Sequence, residues 1–81
     1  MTVSIDSISI LLQGETLPDK TKAKIKARIV QECDGKGMEL ESFNLVGEDC
    51  YSLEFSIYPA DWCGQYRTLA MVNNIVQKIL D

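Results

Sequence analysis

Apolar and polar residues alternate along much of the chain. Tyr51, Leu53, Phe55 and Ile57 interleave with Ser52, Glu54, Ser56 and Tyr58, the period-two pattern of a strand with one buried face. Pro59 is expected to end that strand. Near the start, Val3 and Ile5 share one phase and Ile8, Ile10 and Leu12 the other. A single strand kinked or bulged near Asp6–Ser7 accommodates both phases. A short helix through Ile5, Ile8 and Leu12 is the competing expectation. Gly14 to Asp19, with Pro18, reads as a loop.

Residues 20–29 decide the architecture. Lys20, Lys22, Lys24, Lys26 and Arg28 alternate with Thr21, Ala23, Ile25, Ala27 and Ile29. Lysine and alanine favour helix by composition. A helix, however, places Lys22 and Lys26 among Ile25, Ile29 and Cys33, whereas a strand separates the two sets onto opposite faces. The alternation therefore predicts a strand over 20–30. Asp34-Gly35 suits a type I′ hairpin turn. With Cys33 opposite Lys36, Ile29 faces Leu40 and Arg28 faces Glu41. A bulge at Ser42 returns Phe43 to the phase of Leu40 and sets it over Ala27. Gly47-Glu48-Asp49 gives a further turn.

From Asp61 the period becomes helical, with Asp61 as the N-cap or Gly64 delaying the start. Trp62, Tyr66, Leu69, Val72, Val76, Ile79 and Leu80 form an apolar arc, with Arg67, Asn74, Lys78 and Asp81 opposite. Asn73 falls inside the arc, as a group bonded to nearby backbone or as a polar marker of a self-association seam. The expected fold is one α+β domain over 1–81, a four-stranded antiparallel β-meander packed on one face by a C-terminal helix. Its core should gather Leu53, Phe55, Ile57, Leu69 and Val76.

Composition changes this picture little. The chain has 81 residues, 46% of them apolar, enough for one small core and too apolar for a disordered segment. Dimerisation would supplement so small a core. The net charge is −4, which argues against a general nucleic-acid binder. No secretory leader pattern or membrane-length apolar run is visible, so a cytoplasmic location with Cys33, Cys50 and Cys63 reduced is expected.

Candidate chemistry is sparse. Histidine is absent, which removes the commonest general base and metal ligand. The cysteines form no Cys-x-x-Cys pair, so no metal site is expected. Cys63, beside a helix start, is the best candidate for a reactive thiol. The carboxylates form no acid–base pair by spacing, and no glycine-rich loop precedes a helix. The expectation is a non-enzyme without cofactors.

The basic row is the most distinctive feature. As a strand face it is either a solubilising surface or a docking stripe, with Lys22, Lys24, Lys26, Arg28 and Tyr58 as candidate partner-binding residues. Residues 24–43, from Lys-Ile-Lys-Ala-Arg-Ile through Asp-Gly-Lys to Phe43, resemble a hairpin in a small type I-F anti-CRISPR protein. The resemblance implies a phage-type inhibitor that binds a protein complex. It covers about a quarter of the chain, departs after Phe43 where a helix would follow, and carries over no binding residue. The resulting expectation is a non-catalytic protein-binding module: a small inhibitor, adaptor or regulatory protein, with homodimerisation open. The alternative is a nucleic-acid-binding domain using the basic strand Lys20–Arg28.

Overall fold

The structure is a computed structural model. It describes residues 1–6, 9–58 and 62–80, without the side chains of Asp6 and Trp62. The elements run β1 (Thr2–Asp6), β2 (Ser9–Gln13), α1 (Asp19–Cys33), β3 (Met38–Leu45), β4 (Cys50–Ile57) and α2 (Trp62–Leu80). The four strands form one antiparallel sheet in the order β1-β2-β4-β3. The α+β class, the four antiparallel strands and the C-terminal helix are as the sequence predicts.

The strands are drawn from different residues than expected. Thr2–Asp6 and Ser9–Gln13 form two strands, with Val3 opposite Leu12 and Ile5 opposite Ile10. This register explains the phase change: odd positions of β1 pair with even positions of β2, so both sets reach one sheet face. The expected kink at Asp6–Ser7, Ile8, the end of a strand at Pro59, the Asp61 cap and the Trp62 side chain lie outside the described residues.

The strand expected over 20–30 is instead α1. It begins after Pro18, whose carbonyl accepts the Lys22 N–H at 2.9 Å, and carries Asp19 in its first turn, where a carboxylate meets the positive end of the helix dipole. Its buried residues are Ile25, Ile29 and Cys33, each four residues from the next and so on one stripe. Ala23 and Ala27, assigned to a buried strand face, are exposed. Alanine forfeits little when left in water and favours the helix intrinsically. The alternation marked no buried face.

Asp34-Gly35 consequently closes a helix, not a hairpin. Asp34 has φ −61° and ψ 124° and Gly35 has φ +73°, and the Lys36 N–H reaches the Cys33 carbonyl at 3.1 Å. These values describe a type II turn. The expected pairings of Ile29 with Leu40, of Arg28 with Glu41 and of Phe43 over Ala27 do not occur. β3 pairs with β4, Leu40 opposite Phe55 and Phe43 opposite Leu53. The register shift between Leu40 and Ser42 makes Glu41 the extra residue and supplies the bulge that the apolar phase demanded.

One sheet face is buried. Ile10 and Leu12 of β2, Met38 and Phe43 of β3, and Tyr51 and Leu53 of β4 join Ile25 and Ile29 of α1 and Val72, Ile75 and Val76 of α2 in one cluster. Phe55, Ile57 and Leu69, expected at its centre, are partly buried at its margin. The α2 arc is rotated from its expected position: Tyr66 is exposed while Thr68 is buried. The Thr68 hydroxyl donates to the Gly64 carbonyl at 2.8 Å, so its burial leaves no polar atom unsatisfied. Asn73 is exposed and accepts from Gln77 Nε2 at 3.3 Å, placing it outside the apolar seam.

Four substitutions test this packing. Leu53→Ala, at a position with no solvent exposure, should cost about 2–5 kcal/mol in chemical denaturation, and Phe55→Ala less. Gly35→Ala meets only the left-handed backbone, with nothing within 4 Å of the new Cβ. Gly37→Ala places a Cβ 2.5 Å from the Tyr58 carbonyl oxygen at φ +71°. Melting temperatures should therefore fall further for Gly37→Ala than for Gly35→Ala.

Candidate interaction surfaces

Helix α1 disperses the basic row. Lys22 lies half-buried on the inner stripe, its Nζ 5.4 Å from the centroid of Phe43 and 5.6 Å from that of Tyr51. The two rings meet edge to face at 5.6 Å. A lysine in this position buries its stem and sets its charge over two aromatic faces. Arg28 pairs with Glu32 at 3.6 Å, and Lys36 pairs with the same carboxylate at 3.2 Å. Lys24 and Lys26 are exposed and, two positions apart, point in widely divergent directions on a helix. The five residues singled out from sequence thus do not form one stripe, and Tyr58 lies beyond the end of β4, in a different groove from Arg28.

Tyr51 ties the loop before α1 to the sheet. Its buried hydroxyl accepts the Leu17 N–H at 2.9 Å and donates to the Leu17 carbonyl at 3.5 Å. The same loop is fastened by Gly14 N–H to the Asp49 carbonyl at 3.1 Å and by the Thr16 hydroxyl to the Glu48 carbonyl. These contacts fix where α1 begins and thereby set Lys22 over its rings.

Charge is sorted between the layers. All eight lysines and arginines lie on α1, on the turn that follows it or on α2. The strands contain none; they carry Asp6, Glu39, Glu41 and Glu54. Between the helices, Arg28, Lys36, Arg67 and Lys78 line a groove of about 350 Å³, with Glu32 as the one carboxylate among the described residues that line it. The sheet face away from the helices carries Ser4, Ser9, Ser42, Ser52, Ser56, Glu39, Glu54 and the half-buried Leu11, none of them buried. The Ser56 hydroxyl donates to Glu41 Oε1 at 2.8 Å.

A second, larger groove of about 910 Å³ follows the start of β3, lined by Val30 and Gln31 of α1, by Met38, Glu39 and Leu40, and by Ser56 and Tyr58. Tyr58 is 84% exposed and Val30 54%. Sequence reasoning selected Tyr58 but missed Val30 and the outer edge of β3, because which strand lies at an edge is a property of topology.

The cysteines are all free: Cys33 buried, Cys50 half-buried and Cys63 exposed. Burial pushes the Cys33 thiol above its ordinary pKa, with Lys36 lowering it and Glu32 raising it by smaller amounts. Among the described residues no three histidine, cysteine or carboxylate side chains gather at a metal-binding distance, and no helix is long and apolar enough to cross a membrane. No protein-family model matches the chain, no curated protein is recognisably similar to it, and no solved structure matches its fold.

Thiol labelling at mildly alkaline pH should follow exposure and thiolate fraction. Cys63 should react first, Cys50 later, and Cys33 only as the molecule unfolds; early labelling of Cys33 would contradict its place in the core. The raised thiol also has a stability consequence. The folded state holds the proton more tightly than the unfolded chain, so this contribution is complete below the ordinary thiol pKa. It is lost as pH rises from there through the raised folded value. Tyr51→Phe should cost about 1–2 kcal/mol by leaving the buried Leu17 N–H without its partner.

Proposed function

We propose that the chain is a non-catalytic protein-binding module, a small inhibitor, adaptor or regulatory protein, that meets its partner through the sheet layer. The observation that carries this reading is the sorting of charge: strands with four carboxylates and no cation, and an outer sheet face that neither helix covers. Such a face stays soluble when bare and selects a partner of opposite sign. The groove beside β3, with the exposed side chains of Tyr58 and Val30, adds a tyrosine anchor of the kind enriched at interface hot spots, beside an aliphatic neighbour. A phage-type inhibitor of a host complex is one form this module would take.

The second reading, a nucleic-acid-binding domain, draws on the helix layer. There the groove lined by Arg28, Lys36, Arg67 and Lys78, with Lys24 and Lys26 exposed on α1, offers cations to a phosphate backbone.

One comparison separates the two. Duplex DNA and single-stranded RNA are titrated at about 50 and 200 mM salt, where phosphate-driven binding weakens by about 10³ or more. The protein-module reading expects no such binding. In parallel, the immobilised chain is exposed to extract of the source cell as wild type, as Glu39→Lys/Glu41→Lys and as Lys24→Glu/Lys26→Glu. A partner retained by the lysine variant and lost by the glutamate variant is the expected result. Salt-sensitive nucleic-acid binding abolished by Lys24→Glu/Lys26→Glu would replace the first reading with the second.

A further inference from the structure

Strand β3 pairs with β4 on one side and, among the described residues, with nothing on the other. Its hydrogen-bonding register is anchored at both ends. The Val46 N–H donates to the Cys50 carbonyl at 2.9 Å, and the Tyr58 N–H donates to the Gly37 carbonyl at 2.7 Å. In an antiparallel ladder, residues alternate between bonding the neighbour and pointing their backbone groups away. Counting from each anchor, and allowing for the extra residue Glu41, the backbones of Met38, Leu40, Phe43 and Leu45 point outward.

Natural edges are usually blunted by lysine, by proline or by brevity. This one spans eight residues and has neither residue type. The bulge at Glu41 and the carboxylates of Glu39 and Glu41 are its only such devices. The apolar side chains beside the edge are left in water: Leu45 is 49% exposed, Val46 60% and Val30 54%. The groove of about 910 Å³ wraps the edge where β3 begins, touching Val30 and Leu40 on the helix side and Glu39 and Tyr58 on the other.

We propose that the outer edge of β3 accepts an extended segment of a partner protein as a fifth, antiparallel or parallel strand, and that this segment alternates apolar with basic residues. The proposal rests on the protein-module reading and names its mode of attachment. Backbone groups of Met38, Leu40, Phe43 and Leu45 supply the hydrogen bonds of strand addition. Side chains of the incoming strand that point toward the helices meet Val30 and Leu45, which select apolar residues. Those on the other side meet Glu39 and Glu41, which select lysine or arginine. A second copy of this chain is the poorer occupant. Pairing β3 with its own copy would gather the Glu39 and Glu41 carboxylates of both molecules on one face, with no cation in either strand to offset them.

The test uses the whole chain and a capped octapeptide alternating valine and lysine, followed by backbone amide exchange. The peptide should slow exchange at Met38, Leu40, Phe43 and Leu45, while the amides already bonded to β4 stay unchanged. Leu45→Pro removes one outward N–H at a half-exposed position and should weaken binding at least roughly tenfold, read as the dissociation constant. Glu39→Lys/Glu41→Lys, which leaves the core untouched and decides the matter if the proline variant does not fold, should lose the valine–lysine peptide and bind a valine–glutamate one. Equal binding of a peptide of the same composition with its lysines in one block would overturn the proposal in favour of plain charge attraction. Protection of the same four amides by raising the protein concentration alone would overturn it in favour of a second copy. A natural protein partner that is lost by Glu39→Lys/Glu41→Lys but slows exchange at none of the four edge amides would remove the edge while leaving the protein-module reading standing; a partner that binds both variants as it binds wild type, or no protein partner and no peptide binding, would remove both.

Discussion

Val3, Ile10, Leu12, Met38, Phe43, Tyr51 and Leu53 project from one side of a four-stranded sheet, and that side has to be kept from water. Strands alone cannot do it. In so short a chain the cover must come from the segments that connect and follow the strands, and the two helices divide the task. Helix α1 contributes a stripe only three residues long, Ile25, Ile29 and Cys33, and its fourth place is filled by Lys22 riding over Phe43 and Tyr51. Helix α2 brings the larger share through Val72, Ile75 and Val76, none appreciably exposed. The narrowness of the α1 stripe explains why so much depends on its start. Pro18, the Tyr51 hydroxyl and the Leu17 backbone place the first turn, and a shift there would carry Ile25 and Ile29 off the sheet.

The parts of the fold legible in the sequence were those where one periodicity had a single interpretation. Tyr51 to Ile57 could only be a strand with one buried face, and residues 62–80 are too long and too regularly apolar for anything but a helix. The phase slip before Phe43 announced a bulge, and the bulge is there, one residue earlier than placed. Residues 20–29 failed because two periodicities fit them. Lys-Ala repeats alternate by composition, while the positions that matter, Ile25, Ile29 and Cys33, are spaced by four. A helix over these residues puts a lysine on its inner face. Lys22 does sit there, and aromatic faces from two different strands make that place tolerable. No local pattern could have revealed those rings, since Phe43 and Tyr51 are distant from Lys22 in sequence and meet it only after the sheet has formed. A strand over 20–30 carries Asp34-Gly35 into the wrong turn type and hides the open edge of β3 behind a neighbour it does not have.

The candidate surfaces show the same division. Tyr58 could be picked out as an aromatic in the polar phase of a strand. The outward-pointing backbone of β3 could not, because it depends on which strand ends the sheet. The separation of charge was half visible: the sequence places six of eight cations in its first forty residues, and folding turns that linear bias into two layers of opposite sign by lifting the basic segment onto the helix side.

That separation gives the molecule a permanent electric dipole moment directed across its thickness, from the carboxylates of the strands toward the cations of the helices. A body with net charge and a dipole does more than drift toward an opposite charge: it rotates as it approaches. In the field of a cationic surface the strands turn to the front and the helices trail, so the fraction of collisions that begin with the correct side facing inward exceeds the geometric share. The effect acts within a Debye length of about 8 Å at physiological salt, the last few molecular diameters of water before contact. Before an anionic surface the same torque acts with the opposite sign and presents the helices instead. One small chain therefore shows different sides to differently charged neighbours without any change of conformation.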